Sequence, residues 1–276
     1  MNCFVEQSLC MKKNTITIVT VCYNAEDNIE RTMRSVLEQS FDNIEYIIVD
    51  GFSTDRTVER AKGFIEKYNR RNVYIISEPD KGIFDAMNKG IKIASGDYIN
   101  FMNVGDVFYD ENVIENLFGN MLSLEYGVVF GDQYINKERK KVMTPFIYKN
   151  SGFKNMGICH QCIFVRTDLA KSHFFDTTYK VCADYNMIMT LYREGYKFLD
   201  THKPVAIYDM SGYSAQNRVT QINETALVCG VSGTWEHKIW LIYTYSKYII
   251  KSIFIKFHMS NFVRYVSDMV NSSKSK

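Results

Sequence analysis

The stretch Tyr98-Ile-Asn-Phe-Met-Asn-Val-Gly-Asp106 is an apolar, strand-like run that stops on an acid. Asn103, Gly105 and Asp106 are turn-forming types, so a plain turn accounts for them. The other reading is a ligand. A carboxylate at the carboxyl end of a strand stands where open α/β folds bind substrates. Mg²⁺ and Mn²⁺ prefer such oxygen donors and take water and phosphate as the remaining ligands. Two earlier runs end in a similar way: Thr15–Asn24 on Tyr23 and Asn24, and Ile44–Gly51 on Asp50. Tyr23 is able to stack on a uracil ring, and Asp50 to accept its N–H. Asp80 and Lys81 follow a further run. There is no GxGxxG after the first run and no GxxxxGK[ST] anywhere, so the dinucleotide and P-loop phosphate cradles are excluded.

These residues need a scaffold, and the patterning supplies one. TITIVTVCYN is a β-branched run of the kind buried on both faces of a sheet. AEDNIERTMRSVLEQS follows with Ile29, Met33, Val36 and Leu37 at helical spacing. IEYIIVDG is a second strand, and Ser53 and Thr54 are placed to cap the helix DRTVERAKGFIEKYN. VYIIS, IFDAMNKGIKIAS and GDYINFMN continue as strand, helix, strand. Such alternation through residue 106 predicts a parallel, doubly wound sheet with the candidate residues on one edge. Beyond it, YGVVFGDQYI and RKKVMTPFIY read as antiparallel strands and HQCIFVRTDL as another. ADYNMIMTLYREG reads as a helix opened by Asp184, and YKFLDTHKPVAIYDM as strand.

The chain has 276 residues, room for one large domain or a domain with an appendage. It is 46 % hydrophobic and 23 % charged, ordinary globular composition. A net charge of +2 gives no case for nucleic acid as a partner. Seven scattered cysteines suit reduced thiols and a cytoplasmic location. Cys159 and Cys162 form the only CxxC, too few ligands for a structural zinc site. The N-terminal MNCFVEQSLCMKKN lacks the apolar core of a signal peptide, and no stretch of about 18 uncharged apolar residues reads as a spanning helix. From about Arg218 the composition turns aromatic and basic. Both tryptophans, Trp235 and Trp240, lie there with Lys238, Lys247, Lys251, Lys256 and Arg264, against Glu236 and Asp268. That suits a helix lying on an anionic membrane surface, on the inner face of the cytoplasmic membrane. A helix packed on its own domain, or on a second subunit in a homodimer, is the other reading.

Joined, TIVTVCYNAEDNIERTMRSVLEQSFDNIEYIIVDGFSTDRTVERA and SEPDKGIFDAMNKGIKIASGDYINFMNVGD resemble the family 2 glycosyltransferases, and the likeness runs from about Thr15 to Ser214. The resemblance implies an inverting enzyme of the GT-A fold, α/β with a Rossmann-like, mostly parallel doubly wound sheet, using a nucleotide-sugar donor. It is nearest to the bacterial branch that builds capsule, O-antigen or exopolysaccharide repeats. It implies that Thr20, Tyr23 and Asn24 form the first donor loop and that Asp50 and Ser53 hold the base. Asp80, Lys81, Asp85 and Asn88 line the donor, and Asn103 and Asp106 fall on the DxD-type motif, Asp106 as the metal ligand for Mn²⁺ or Mg²⁺. Asp184 matches the catalytic base. His160 and Gln161 match the acceptor-side strand. The SGYS loop, ending at Ser214, closes over the phosphates, with Arg218 adding charge. Asp132 either contacts acceptor or caps a turn. One departure stands out: the usual acidic cluster is reduced here to a single carboxylate.

The expected organisation is an N-terminal segment (1–14), a glycosyltransferase domain (15–218) with a donor half (15–106) and an acceptor half (107–218), and amphipathic basic helices (219–276). The expected activity moves a sugar, with UDP-sugar as the expected donor, onto a hydroxyl of a glycan or lipid-linked acceptor. Two other classes stay open: a nucleotidyltransferase of GT-A-like fold, and an inactive nucleotide-sugar-binding subunit.

Overall fold

The β-branched runs pair as their composition demands. β1 (Ile16–Cys22) lies parallel between β2 (Ile44–Asp50) and β4 (Tyr98–Phe101), and β3 (Val73–Ser77) lies parallel outside β2. The structure is a computed structural model, and it describes residues 14–68, 72–120, 124–135, 140–142, 159–208 and 217–256. After β4 the sheet continues with strands of mixed direction. β8 (Ile163–Arg166) is antiparallel to β4, and β6 (Val128–Ile135) is antiparallel to β8. β9 (Phe198–Tyr208) runs parallel to β6, with β5 (Val107–Phe108) at the far edge and β7 (Lys140–Val142) beside β6.

Period-two alternation sends side chains to both faces. Val19, Val21, Ile47 and Val49 enter one core with α3 (Ile83–Ile93), α5 (Thr167–Ser172) and α6 (Ala183–Arg193). Ile16, Ile18, Ile44 and Ile48 enter the other with α1 (Ile29–Leu37), α2 (Thr57–Tyr68) and α4 (Val113–Phe118). Each such side chain contributes about 1.5–3 kcal/mol of burial. The doubly wound, mixed α/β sheet is therefore held by two cores, one on each face.

Three expectations change. Ser53 and Thr54 do not cap α2; Asp55 does, accepting from Thr57 N at 2.9 Å and Thr57 Oγ1 at 2.5 Å. Ser53 is instead engaged at the sheet edge. The run HQCIFVRTDL is not one strand. His160–Cys162 form a 3₁₀ turn, β8 starts at Ile163, and α5 begins at Thr167. The extension from residue 219 is not wholly an appendage. α7 (Arg218–Val228) buries Ile222, Thr225, Ala226 and Val228, and α8 (Trp235–Lys256) begins against it, with His237 buried and its Nε2 3.0 Å from Asn223 Oδ1.

Candidate active site

Parallel register brings the ends of three strands level: Cys22 pairs with Asp50, and Asp50 with Ser77. Tyr23, just past β1, is 63 % exposed. Asp50 is 0 % exposed, and its carboxylate is engaged from within. Oδ2 accepts from Ser53 N at 3.0 Å and Ser77 Oγ at 2.6 Å, and Oδ1 from the Ser53 hydroxyl and the Cys22 thiol. Asp50 thus shapes the loop rather than facing solvent. Asn24, at φ 46°, completes it: its N–H donates to Ser53 Oγ at 2.8 Å, and its Oδ1 accepts from Thr54 N at 2.9 Å. A Cβ at Gly51 would meet the Asp80 carboxylate, which would have to turn aside, and would stand 3.4 Å from the Tyr23 ring. Burial above all, and then Asp50, Asp55 and Asp80, push the Cys22 thiol far above its usual pKa.

Not every residue expected to line the donor reaches this edge. Thr20 is fully buried, its hydroxyl donating to Met102 O at 2.7 Å beside the Tyr46 hydroxyl. Asn88 spends both ends of its amide on the backbone of Phe175, each at 2.9 Å. Both hold the scaffold. Asp85 accepts from Lys81 N at 3.0 Å and so closes the turn into α3, leaving the Lys81 side chain exposed.

The antiparallel seam between β4 and β8 explains the second half of the site. Because β8 runs back along β4, the turn before it lands beside the turn after β4. Asn100 Nδ2 fastens that turn, donating to Gln161 O at 3.0 Å and Ile163 O at 2.8 Å. Gln161 Nε2 donates to Asp106 Oδ2, and Asn103 Nδ2 lies 2.9 Å from His160 Nε2. From below, Thr32 Oγ1 donates to Asp106 O at 2.9 Å and accepts from Gly105 N at 3.0 Å. Gly105 takes a φ of 102°, which suits glycine. His160 Nδ1 lies 3.3 Å from Asp184 Oδ2, at the start of α6. With Asn103 Nδ2 as donor to Nε2, Nδ1 is the ring nitrogen left to donate to Asp184. Asp184 is 4 % exposed, and its Oδ1 accepts from Tyr185 N at 2.8 Å. Asp132 is buried at a bulge in the β6–β9 pairing, and Cys162 Sγ lies 3.7 Å from its carbonyl. Arg218 donates to Gln221 Oε1 at 2.5 Å within α7. Ser214 lies outside the described residues.

Residues 17–216 match the family described as Glycosyl transferase family 2. The chain belongs to that family. An uncharacterized glycosyltransferase of Mycobacterium tuberculosis is 31 % identical over 181 residues, covering 63 % of this chain and 68 % of the relative. A PGL/p-HBAD biosynthesis glycosyltransferase of Mycobacterium bovis is 27 % identical over 172 residues, 62 % of this chain and 66 % of the relative. Among solved structures, Staphylococcus aureus TarS 1–349 with UDP-GlcNAc superposes at a TM-score of 0.61 and 16 % identity, over 78 % of this chain and 66 % of that one. The mannosyltransferase PcManGT of Pyrobaculum calidifontis, with GDP-Man and Mn²⁺, gives 0.61 at 17 % identity, over 78 % and 65 %. The chain spans slightly less than two thirds of these structures, and they show its fold to be GT-A.

For a family 2 glycosyltransferase, the fit to a cation turns on few donors. Among the described residues, no group of three or more His, Cys, Asp and Glu converges. Asn103 Oδ1, however, is buried without a partner, beside the Asp106 turn. One carboxylate and one unpartnered amide oxygen are what a hard cation asks of the protein when phosphates and water complete its shell. The residues fit.

Two residues escaped the sequence reading. Phe52, φ 66°, is 60 % exposed next to Gly51; a bulky residue in the left-handed region is a genuine outlier, and nothing in the spacing of DGFS reveals it. Glu224, on α7, reaches the amides in front of α6. Its Asn-Glu-Thr neighbourhood carries no signal that could have found it.

Proposed function

We propose that this glycosyltransferase moves a sugar, with inversion, from a UDP-sugar to a hydroxyl of a glycan or lipid-linked acceptor in bacterial cell-surface polysaccharide synthesis. The observation that carries this reading is the line Asn103–His160–Asp184, at 2.9 and 3.3 Å, which joins a buried carboxylate at a helix start to the Asp106 turn. A base for the acceptor and a seat for the leaving diphosphate thereby lie on one edge. The acceptor oxygen attacks the anomeric carbon, the bond to the diphosphate breaks with its electron pair leaving on the phosphate, and Asp184 takes the hydroxyl proton. A positioned base contributes about 10²–10⁴ in rate. His160 holds the Asp184 carboxylate in place, and Tyr23 and Phe52 flank the base of the donor over the floor formed by Gly51. A divalent cation, held by Asp106 and Asn103, would neutralise charge on the diphosphate; a neighbour of the same fold is bound with Mn²⁺. The UDP and UDP-GlcNAc complexes of TarS support uridine as the nucleotide, and GDP-Man in PcManGT names the competitor.

The test is product analysis with UDP-sugars and Mn²⁺, with and without chelator, on the protein and on Asp184→Asn. Release of UDP with a glycoside of inverted configuration is expected, abolished by chelator and reduced about 10²-fold or more by Asp184→Asn. Pyrophosphate as product, no turnover in the unaltered protein, or near-normal turnover of Asp184→Asn would each overturn the reading.

A further inference from the structure

Helix α6 starts without a local cap: Cys182, at its N-cap position, makes no side-chain capping bond. The amides leading into the helix are met from another helix. Glu224 Oε1 accepts from Lys180 N at 2.8 Å, and Oε2 from Val181 N and Cys182 N, both at 2.9 Å. Bonds from amides to an ionised acceptor are about twice as strong as neutral ones. Three of them on one carboxylate fix the path of residues 180–182, and Asp184 follows two residues later. α7 adds Gln221 O, 3.6 Å from Cys182 Sγ, and Thr225 Oγ1 at 3.5 Å from the same sulfur. Burial above all, and then the Asp184 and Glu224 carboxylates, raise the Cys182 thiol to about 12, against a lowering by its bond with Thr225. Glu224 lies outside the residues matched to the family, 17–216.

We infer that Glu224 is a positioning residue for Asp184. It holds the segment from which α6 departs, and so sets where the carboxylate stands relative to His160 and the acceptor hydroxyl. The inference rests on Asp184 being the base. A displacement of about 1 Å in a reacting group costs up to 10²-fold in rate. Glu224→Gln keeps the size and one carbonyl acceptor while removing the charge that two of the three bonds share on Oε2. Glu224→Asp keeps the charge and withdraws it by one methylene.

The experiment is a double-mutant cycle on the full chain: the unaltered protein, Glu224→Gln, Asp184→Asn and the pair, each assayed for kcat, KM for donor, UDP affinity and melting temperature. Glu224→Gln is expected to lower kcat about tenfold, with UDP affinity within about twofold of normal, and to lower it no further once Asp184 is Asn. Glu224→Asp is expected to behave likewise and gives the same reading if the Gln variant folds poorly. An unchanged kcat in a folded Glu224 variant overturns the inference, and so does a loss of the same size in the Asp184→Asn background, which would mark a structural role alone. Near-normal turnover of Asp184→Asn would instead remove the base reading itself, and the inference with it; a crippled Asp184→Asn beside a normal Glu224→Gln removes the inference only.

Discussion

At the scale of single residues, the proposed donor edge sets a conformational cost against contact. Phe52 sits at φ 66°, where a side chain costs about 1–2 kcal/mol relative to the right-handed region. The cost persists because Asp50, Ser53 and Asn24 hold the loop from both sides. Phe52→Gly removes it, offset in part by about 0.4–1 kcal/mol of added freedom in the unfolded chain. The melting temperature of that variant should therefore be equal to or above normal. UDP affinity should fall, by roughly fivefold or more, since stacking on a base is worth about 1–3 kcal/mol. Calorimetric titration with UDP checks this, and unchanged affinity would remove Phe52 from the donor site. A stable protein that binds worse is the signature of strain kept for a ligand.

At the scale of elements, the seam between β4 and β8 holds the residues proposed for the chemistry. Asn100 is fully buried on β4 and holds one carbonyl of the turn containing His160, that of Gln161, and the carbonyl of Ile163 where β8 begins. Asn100→Ala would leave both carbonyls without that donor, at about 1–3 kcal/mol each. A lower melting temperature is expected, together with a larger loss in kcat than in UDP affinity, because His160 and Gln161 are released while the β1 and β2 loops are not. Equal losses in both would mean that the turn is not specific to catalysis. The same seam marks where sequence reading stops. The ends of β1, β2 and β4 were legible because β-branched runs with period two leave few alternatives, and their acids were legible as strand-end residues. That β8 returns antiparallel is a pairing across more than sixty positions, and no local pattern encodes it. Ser53, Thr54 and Asp55 are three successive capping types; which one caps was decided by Asp50 claiming Ser53, a tertiary fact.

At the scale of the whole molecule, α8 stands apart from the cores. Trp235 is 79 % exposed, and Ile239, Ile242 and Tyr243 continue an exposed apolar stripe at helical spacing, with Lys238 over the Trp235 ring. No helix among the described residues is long and apolar enough to cross a membrane. Such a stripe beside basic side chains suits a helix lying in the interface, held by apolar burial and by attraction to anionic lipid, of which salt screens only the second. The full chain should therefore sediment with vesicles containing phosphatidylserine or phosphatidylglycerol more than with phosphatidylcholine, and less as salt rises. Deletion from Trp235 should abolish sedimentation and leave UDP affinity intact, since α7 stays. If the full chain ignores anionic vesicles while a concentration-dependent dimer forms, the stripe belongs to a second copy of the chain.

The saturated carboxylate of Asp50 has a kinetic meaning. Its bonds to Ser53, Ser77 and Cys22 are made entirely by groups of the chain itself, so the loop is ordered by folding and its freedom is a small part of any binding cost. If the proposed donor site lies here, capture should resemble a collision with a finished surface, its observed rate rising in proportion to nucleotide concentration.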